Sequence, residues 1–344
     1  MNRDHNHHKG LFRRAAAVCL VGAMLISSVL YGLIGCDAPE PPDPASDGVL
    51  HVVVTSFPAE EFARAVLGDL LNGSGGEPVV LERLGKTGQD LHAFEPSAAD
   101  IRKLSGADIL ICIGSFAETW LDGAIRASGN RSLRVLSMTD VCELHEEEEL
   151  PGLGEHDHHH DHEHGEGTQV EYDEHVWTSF GNMARIVTAV RNTLTAALPE
   201  QAATLQANAA SYLLELDALR ADYQATVASA ADPVLVIADR YPFAYLMREL
   251  GVVCYAAFPG CSSETQASFS TQVMLTETVR DLHLPAVLYV DFGVASVADD
   301  VSRATGVPVR RLWSGQVASD TGLSYLDMLR ENLVSLRAAL GVTG

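Results

Sequence analysis

Basic side chains are scarce in this chain. Its 344 residues carry 23 Lys and Arg against 46 Asp and Glu, a formal net charge of −23. That balance argues against nucleic acid as a partner, since phosphate binding needs a basic face. Several enzyme signatures are missing as well. There is no Gly-x-Ser-x-Gly elbow, no phosphate-binding P-loop and no His-Glu-x-x-His helix, so the usual hydrolase and phosphate-handling motifs do not apply.

What is present begins with a leader. Arg3, Lys9, Arg13 and Arg14 precede an almost uncharged run, Ala15 to Ile34, about long enough to cross a bilayer. A basic start before an apolar run reads as a signal peptide, residues 1–35, and is set aside in reasoning about the fold. The run ends in Leu33-Ile34-Gly35-Cys36. This is similar to a lipobox, which is cleaved before a cysteine that becomes diacylated, here Cys36. The competing reading is an uncleaved anchor helix. Residues 36–48 favour the lipobox, because Pro39, Pro41, Pro42 and Pro44 make an extended tether that cannot pack a core. The acyl chains then supply the membrane anchor. Four of the 23 basic residues and one of the 46 acidic ones precede Cys36, leaving 19 against 45, or −26. That balance suits solubility outside the cell and also suits attraction of cations, and charge alone does not choose.

Cysteine is sparse too. Beyond Cys19 and Cys36 only Cys112, Cys142, Cys254 and Cys261 remain. An exported compartment permits disulfides. Four cysteines allow three full pairings and sequence selects none, although Cys254 and Cys261 lie closest.

The body alternates strand-like and helix-like segments. β-Branched runs at Leu50–Thr55, Pro78–Leu84, Ala107–Ile113 and Arg134–Ser137 are separated by helical spacing, one helix being announced by Ser97 and Asp100 as a capping pair. A second series of four runs follows between Pro233 and Leu312. Such alternation predicts an α/β fold of two lobes, each a mostly parallel sheet flanked by helices. The lobes are expected at 49–198 and 232–344, joined by a long rigid connector helix over 199–231. No close repeat relates them. Ligands of open α/β sheets sit beyond the carboxyl ends of the strands, so a site is expected between the lobes.

Histidine is concentrated. Six of 14 fall at His156, His158, His159, His160, His162 and His164, interleaved with Glu155, Asp157, Asp161 and Glu163. Imidazole and carboxylate together suit zinc, copper or nickel. The loop 155–165 reads as an accessory metal tract with several weak sites, since ordering a floppy segment costs conformational entropy. Two other histidines stand at the edges of ordered segments. His92 lies in Asp90-Leu91-His92-Ala93-Phe94-Glu95-Pro96-Ser97, and His175 in Asp173-Glu174-His175-Val176-Trp177. Either alone would more often be a structural or merely exposed histidine.

These two segments resemble the signatures D-x-H-x-[FY]-E-P-[ST] and D-x-H-[VI]-W of the zinc- and manganese-specific solute-binding lipoproteins of ABC importers, the cluster A-I family. The acidic His-rich loop before the second signature is typical of its zinc-specific members, and the resemblance extends over residues 49–344. It implies that His92 and His175 are metal ligands, that the ion is Zn2+ with Mn2+ as the other ion the family admits, and that the partner is an ABC permease. It implies a monomeric, non-enzymatic binding protein at the outer face of the cell membrane. The other functions weighed are a lipid-anchored metal buffer and a metallohydrolase, the latter needing an open metal position and a general base.

The C-terminal lobe departs from the family pattern. Arg240 and Ser314 stand where the resemblance places the third and fourth ligands, and an arginine cannot ligate a cation. Zinc takes about four ligands, or three and water. Glu264 and Asp291 are the principal candidates to complete the shell, with Asp239 and Cys261 behind them. The family has acids at both principal positions without using them as ligands, which implies a structural role instead, such as Asp291 pairing with Arg240.

Overall fold

The computed structural model describes residues 48–73, 78–85, 94–114, 116–147, 150, 172–260, 267–291, 293 and 295–343. Cys36, His92, the His-rich tract, Cys261 and Glu264 lie outside the described residues.

In the N-terminal lobe, strands β1 (Leu50–Val54), β2 (Val79–Arg83), β3 (Ile109–Cys112) and β4 (Arg134–Ser137) alternate with helices α1 (Phe57–Leu67), α2 (Ala98–Ser105) and α3 (Leu121–Ser128). The strands pair in parallel in the order β2-β1-β3-β4. Val52, Val53 and Val54 are almost fully buried, as a strand covered by helices on both faces requires. The predicted capping pair opens α2: Ser97 Oγ accepts from Asp100 N at 3.3 Å and Asp100 Oδ2 accepts from Ser97 N at 2.9 Å. Each bond satisfies an amide that the first helical turn leaves unpaired.

Helix α4 (Phe180–Ala197) leads into α5 (Ala202–Ala228). The second lobe then runs β5 (Val234–Arg240), α6 (Ala244–Leu250), β6 (Val253–Phe258), α7 (Phe269–Asp281), β7 (Val287–Val290), α8 (Ser296–Thr305), β8 (Val309–Leu312) and α9 (Tyr325–Ala339). Its strands are also all parallel, in the order β6-β5-β7-β8. The two sheets thus share one topology although their sequences show no close repeat. In each, the chain reverses direction across the sheet between its first and third strands, which opens a crevice at their carboxyl ends.

Helix α5 has 27 residues and spans about 40 Å. It does more than separate the lobes. It packs on α1 and α4 and also on α9. Asn208 Nδ2 donates to Val66 O at 3.0 Å and Tyr223 OH donates to Leu329 O at 2.6 Å. Its buried Leu205, Leu216 and Tyr223 belong to one apolar core that also takes in Ile111 of the first sheet and Leu288 of the second. A connector built into a shared core resists bending, because any hinge motion would open packed surface.

Glu118 lies under the carboxyl edge of the first sheet and is 2% exposed. Its Oε2 accepts from Ile113 N at 2.9 Å and Gly114 N at 3.2 Å, while Oε1 and the Thr55 hydroxyl are buried without a well-formed hydrogen bond. Burial pushes the Glu118 pKa up to about 7, with the Glu174 charge adding to it and the surrounding hydrogen bonds opposing. A carboxyl whose folded pKa is raised stabilises the fold in acid, and that contribution is lost as pH rises through about 7. Glutamine keeps the two amide bonds and removes the cost of ionisation. The Glu118→Gln variant is therefore expected to gain about 2 kcal/mol at about pH 8 and almost nothing at about pH 4. Urea unfolding at the two pH values checks this, and a variant no more stable than the parent at the higher pH contradicts it.

Candidate functional site

His175 sits in the segment that feeds α4. Ser179 ends that segment as the helix N-cap, its Oγ accepting from Asn182 N at 3.2 Å. Asp173, Glu174, His175, Val176 and Trp177 are all buried, His175 at 1% exposure. Asp173 Oδ1 lies 2.8 Å from His175 Nδ1 and accepts from His175 N at 2.7 Å. A carboxylate on Nδ1 fixes the tautomer that carries its proton there and makes Nε2 the nitrogen with a lone pair to offer. Burial disfavours the imidazolium, but the Asp173 hydrogen bond and charge, with Glu174 and Glu147 behind them, outweigh burial and raise the His175 pKa.

Groups from elsewhere hold this segment. Tyr245 OH on α6 donates to Asp173 O at 2.7 Å and accepts from His145 N at 3.1 Å. Glu249, on the same helix, accepts from Ser179 Oγ at 2.7 Å and Gly181 N at 3.2 Å. Its other oxygen is 2.7 Å from Arg220 Nε on α5. The second lobe and the connector therefore cap the helix that His175 precedes. Upstream, Glu146 and Tyr172 form an antiparallel bridge and Asp173 N donates to His145 O at 3.0 Å. The two ends of the stretch containing the His-rich tract are thus anchored beside His175.

Facing the segment is a cleft at the carboxyl ends of β5 and β7, lined by Arg240, Gly260, Asp291, Ser314 and Gln316 among others. Gly260 makes the two sides contiguous. A Cβ on it would stand 3.3 Å from His175 Cε1 and 3.0 Å from Tyr241 O, so the backbone passes against the imidazole only because no side chain intervenes. The backbone of Ser314 joins the lobes: its carbonyl accepts from Trp177 Nε1 at 3.0 Å and its N–H donates to Asp291 Oδ1. Gly315 adopts φ 67° and a Cβ there would meet the Tyr325 ring at 2.1 Å. Tyr325 in turn donates its hydroxyl to Trp177 O at 2.7 Å.

Asp291 Oδ2 is buried with no hydrogen-bond partner. Burial pushes the carboxyl pKa up to about 6, with Ser314 hydrogen bonding and the Arg311 charge opposing. An anionic oxygen stranded in this way is costly unless something cationic or a donor faces it. The donor set of His175 and Asp291, one imidazole and one carboxylate oxygen, fits a borderline divalent cation such as zinc.

Of the other candidates, Asp239 is engaged with the backbone. Its Oδ1 accepts from Arg240 N at 2.8 Å and its Oδ2 from Val290 N at 3.2 Å, and Gly293 packs so tightly on it that a Cβ would fall 1.7 Å from Oδ2. Asp239 clamps the start of the loop after β7, a role that its place in the sequence did not reveal. Among the described residues no group of three or more His, Cys, Asp or Glu side chains is arranged to hold a metal. His175 and Asp291 are the two proposed ligands that the described residues contain. Cys112 and Cys142 are separate thiols, burial pushing the Cys142 pKa up to about 12. Sequence reasoning missed the Trp177–Ser314 link, although Trp177 stood inside the quoted motif.

Comparison with known proteins places this geometry in context. A family model described as zinc-uptake complex component A, periplasmic (ZnuA), matches residues 52–339. The chain is 27% identical over 321 residues to the zinc-binding lipoprotein AdcA of Streptococcus pneumoniae, covering 92% of this chain and 60% of that protein. It therefore spans about three fifths of the length of these AdcA relatives. It is 26% identical over 300 residues to the high-affinity zinc uptake system protein ZnuA of Bacillus subtilis, covering 85% and 88% of the two chains. The crystal structure of the Zn(II)-bound ZnuA-like domain of S. pneumoniae AdcA superposes with a TM-score of 0.66 at 24% identity, over 85% of this chain and 99% of that one. At that identity the superposition speaks for the fold.

The interlobe link carries its own test. Trp177→Phe leaves the Ser314 carbonyl buried without its donor, which is expected to lower the unfolding free energy by about 1 to 3 kcal/mol. A urea midpoint equal to the parent's contradicts the link.

Proposed function

The chain belongs to the ZnuA family, zinc-uptake complex component A, and from that membership we propose that it is an extracytoplasmic zinc-capture lipoprotein without catalytic activity. Lipidated Cys36 anchors it to the cell membrane, the Pro-rich tether 36–48 holds the body clear of the surface, and a docked ABC permease receives the ion. The lobes at 49–198 and 232–344, with the connector 199–231, form the capture body.

One observation carries this reading. His175 is held by Asp173 in the tautomer that offers Nε2, at the edge of a cleft whose far wall bears the unpartnered Asp291 Oδ2. His92 and His175 supply the N-terminal lobe's ligands, and Asp291 with Glu264 supplies the other lobe's. The names of the relatives, a zinc-binding lipoprotein and a zinc uptake protein, agree with zinc as cargo. The tract His156 to His164 serves as an accessory collector, and Glu146 and Tyr172, which flank it in sequence, pair with each other. A pure buffer would instead bind through the tract alone.

Two measurements test the reading. A chain lacking residues 155–165 is expected to keep one tight zinc site in equilibrium titration. His175→Ala is expected to lose more than the roughly 10- to 100-fold that outer partners of a ligand contribute. Tight binding that vanishes with the tract, or survives loss of His175, would falsify capture in the cleft.

A pH dependence follows from the raised His175 pKa. Protons compete with zinc for His175 over a range that begins above the ordinary histidine pKa of about 6.5, so affinity falls as pH drops through it. Asp173→Asn removes the charge that raises the pKa. The onset of the fall is expected to move to lower pH, while the plateau affinity drops by about 10- to 100-fold. An unchanged profile in this variant would show that Asp173 does not govern the ligand.

A further inference from the structure

Four arginines gather at the pole of the first lobe where its strands begin. Arg102 lies in the last turn of α2 and Arg126 in that of α3. Arg131 follows, and Arg134 opens β4, an edge strand. Asn130 joins the two helix ends, its Nδ2 donating to Leu104 O at 2.9 Å and to Ala107 O at 2.7 Å. All four arginines are exposed. Among the described residues none of them forms an ion pair, whereas Arg64, Arg83, Arg185, Arg220, Arg303 and Arg330 each do. A cation in the last turn of a helix complements its macrodipole. That accounts for Arg102 and Arg126 but not for Arg131 and Arg134, which lie outside the helices. Val135, the next residue of the edge strand, is apolar and 48% exposed beside them.

The acids of this pole do not cancel the arginines. Asp108 Oδ2 accepts from His51 N at 2.8 Å. Asp69 and Glu200 follow α1 and α4, and those helices cover the other face of the sheet. Val52 and Val54 pack into the core that holds α1 and α4, and Val53 into the one that holds α2 and α3. Charges across the sheet are largely screened, because the Debye length at about 0.1 M salt is about 10 Å. The chain also enters the body here. Leu50 opens β1, and Asp108 links the starts of β1 and β4, its N–H donating to His51 O at 2.9 Å and its carbonyl accepting from Arg134 N at 3.0 Å. The proposed tether from Cys36 therefore joins the body at the arginine pole. Glu118, whose carboxyl feels the Glu174 charge beside His175, marks the opposite edge of the sheet.

We infer that this pole is a docking surface for the anionic phospholipid headgroups of the membrane that carries the anchor. This rests on the lipid anchoring proposed above and adds a second position for the body. The tether reaches at most about 45 Å, so the body can stand clear of the surface or settle on it. In the settled position the guanidinium forks grip headgroup phosphates, and Val135 enters the boundary between headgroups and acyl chains. The edge of the lobe that bears His175 then turns away from the lipid, toward free cations. The four cations are spread over two helix ends and a strand edge, and so present a surface and not a pocket. Each guanidinium at an anionic surface multiplies the settled population by about fivefold. The tether already confines the body near the lipid, so these weak contacts act at high effective concentration.

The test is neutron reflectometry on the protein purified from membranes with its anchor, reconstituted in supported phosphatidylcholine bilayers with and without phosphatidylglycerol. The readout is the water layer between the headgroups and the body. With phosphatidylglycerol in low salt that layer is expected to vanish. It is expected to return on phosphatidylcholine alone, and in about 1 M salt, where the Debye length falls to about 3 Å. It is also expected to return when Arg102→Gln, Arg126→Gln, Arg131→Gln and Arg134→Gln are combined. Arg303→Gln with Arg310→Gln, at the corresponding pole of the second lobe, should leave the contact unchanged. The lipid and salt comparisons use the parent alone, so they decide the matter whatever the variants do to folding. An equal water layer on both bilayers overturns the inference and leaves the anchor standing. Contact that survives loss of all four arginines overturns the role of this pole. Protein that washes off both bilayers shows that Cys36 carries no anchor, and the inference falls with that reading.

Discussion

The short hydrogen bond between the Asp173 carboxylate and His175 Nδ1 is the interaction on which the proposed chemistry depends. It is buried, so solvent neither screens nor competes with it, and it decides three properties at once. It sets which imidazole nitrogen faces outward, how basic that nitrogen is, and which way the ring points. Almost everything around it serves to keep it in place. Tyr245 binds the Asp173 carbonyl, Glu249 caps the following helix, and Trp177 reaches across to Ser314. All three contacts come from, or run to, the second lobe.

That arrangement makes the site a product of the lobe interface. The apolar core continues through α5 from one sheet to the other, and the Ser314 backbone ties Trp177 to Asp291. The proposed ligands from the two lobes are positioned by the same hydrogen-bonded chain. A cleft built this way is preformed. It discriminates by the donors it presents more than by closing around its cargo, because large hinge motion would have to break a packed core. On the proposed function, capture then depends on how well a cation fits a fixed histidine and a buried carboxylate.

Much of this was legible in the sequence, for identifiable reasons. Val52 to Val54 and Ile109 to Cys112 are apolar on both faces, which only a covered parallel strand explains, and β4 and β8 fall where their runs predict. Ser97 and Asp100 announced their helix through hydrogen-bonding chemistry confined to four residues. His175 was singled out because its neighbours form a motif. The links that hold the opposite wall were not legible, because they are made by backbone. Ser314 contributes its carbonyl and N–H, Gly260 and Gly293 contribute the absence of a side chain, and neither role leaves a mark in residue type. The backbone role of Asp239 was hidden for the same reason. Nothing local shows that its oxygens are taken by amides from two different strands' ends. The shared topology of the two sheets was hidden as well, since strand order is set by long-range pairing and not by sequence similarity.

The most direct test of the central claim is a crystal structure of the zinc-loaded protein with anomalous diffraction recorded above and below the zinc edge. The account predicts one strong anomalous peak in the cleft, within about 2.0 to 2.2 Å of His175 Nε2 and of Asp291 Oδ2. A peak bound only by the His156 to His164 tract, with the cleft empty, would contradict it.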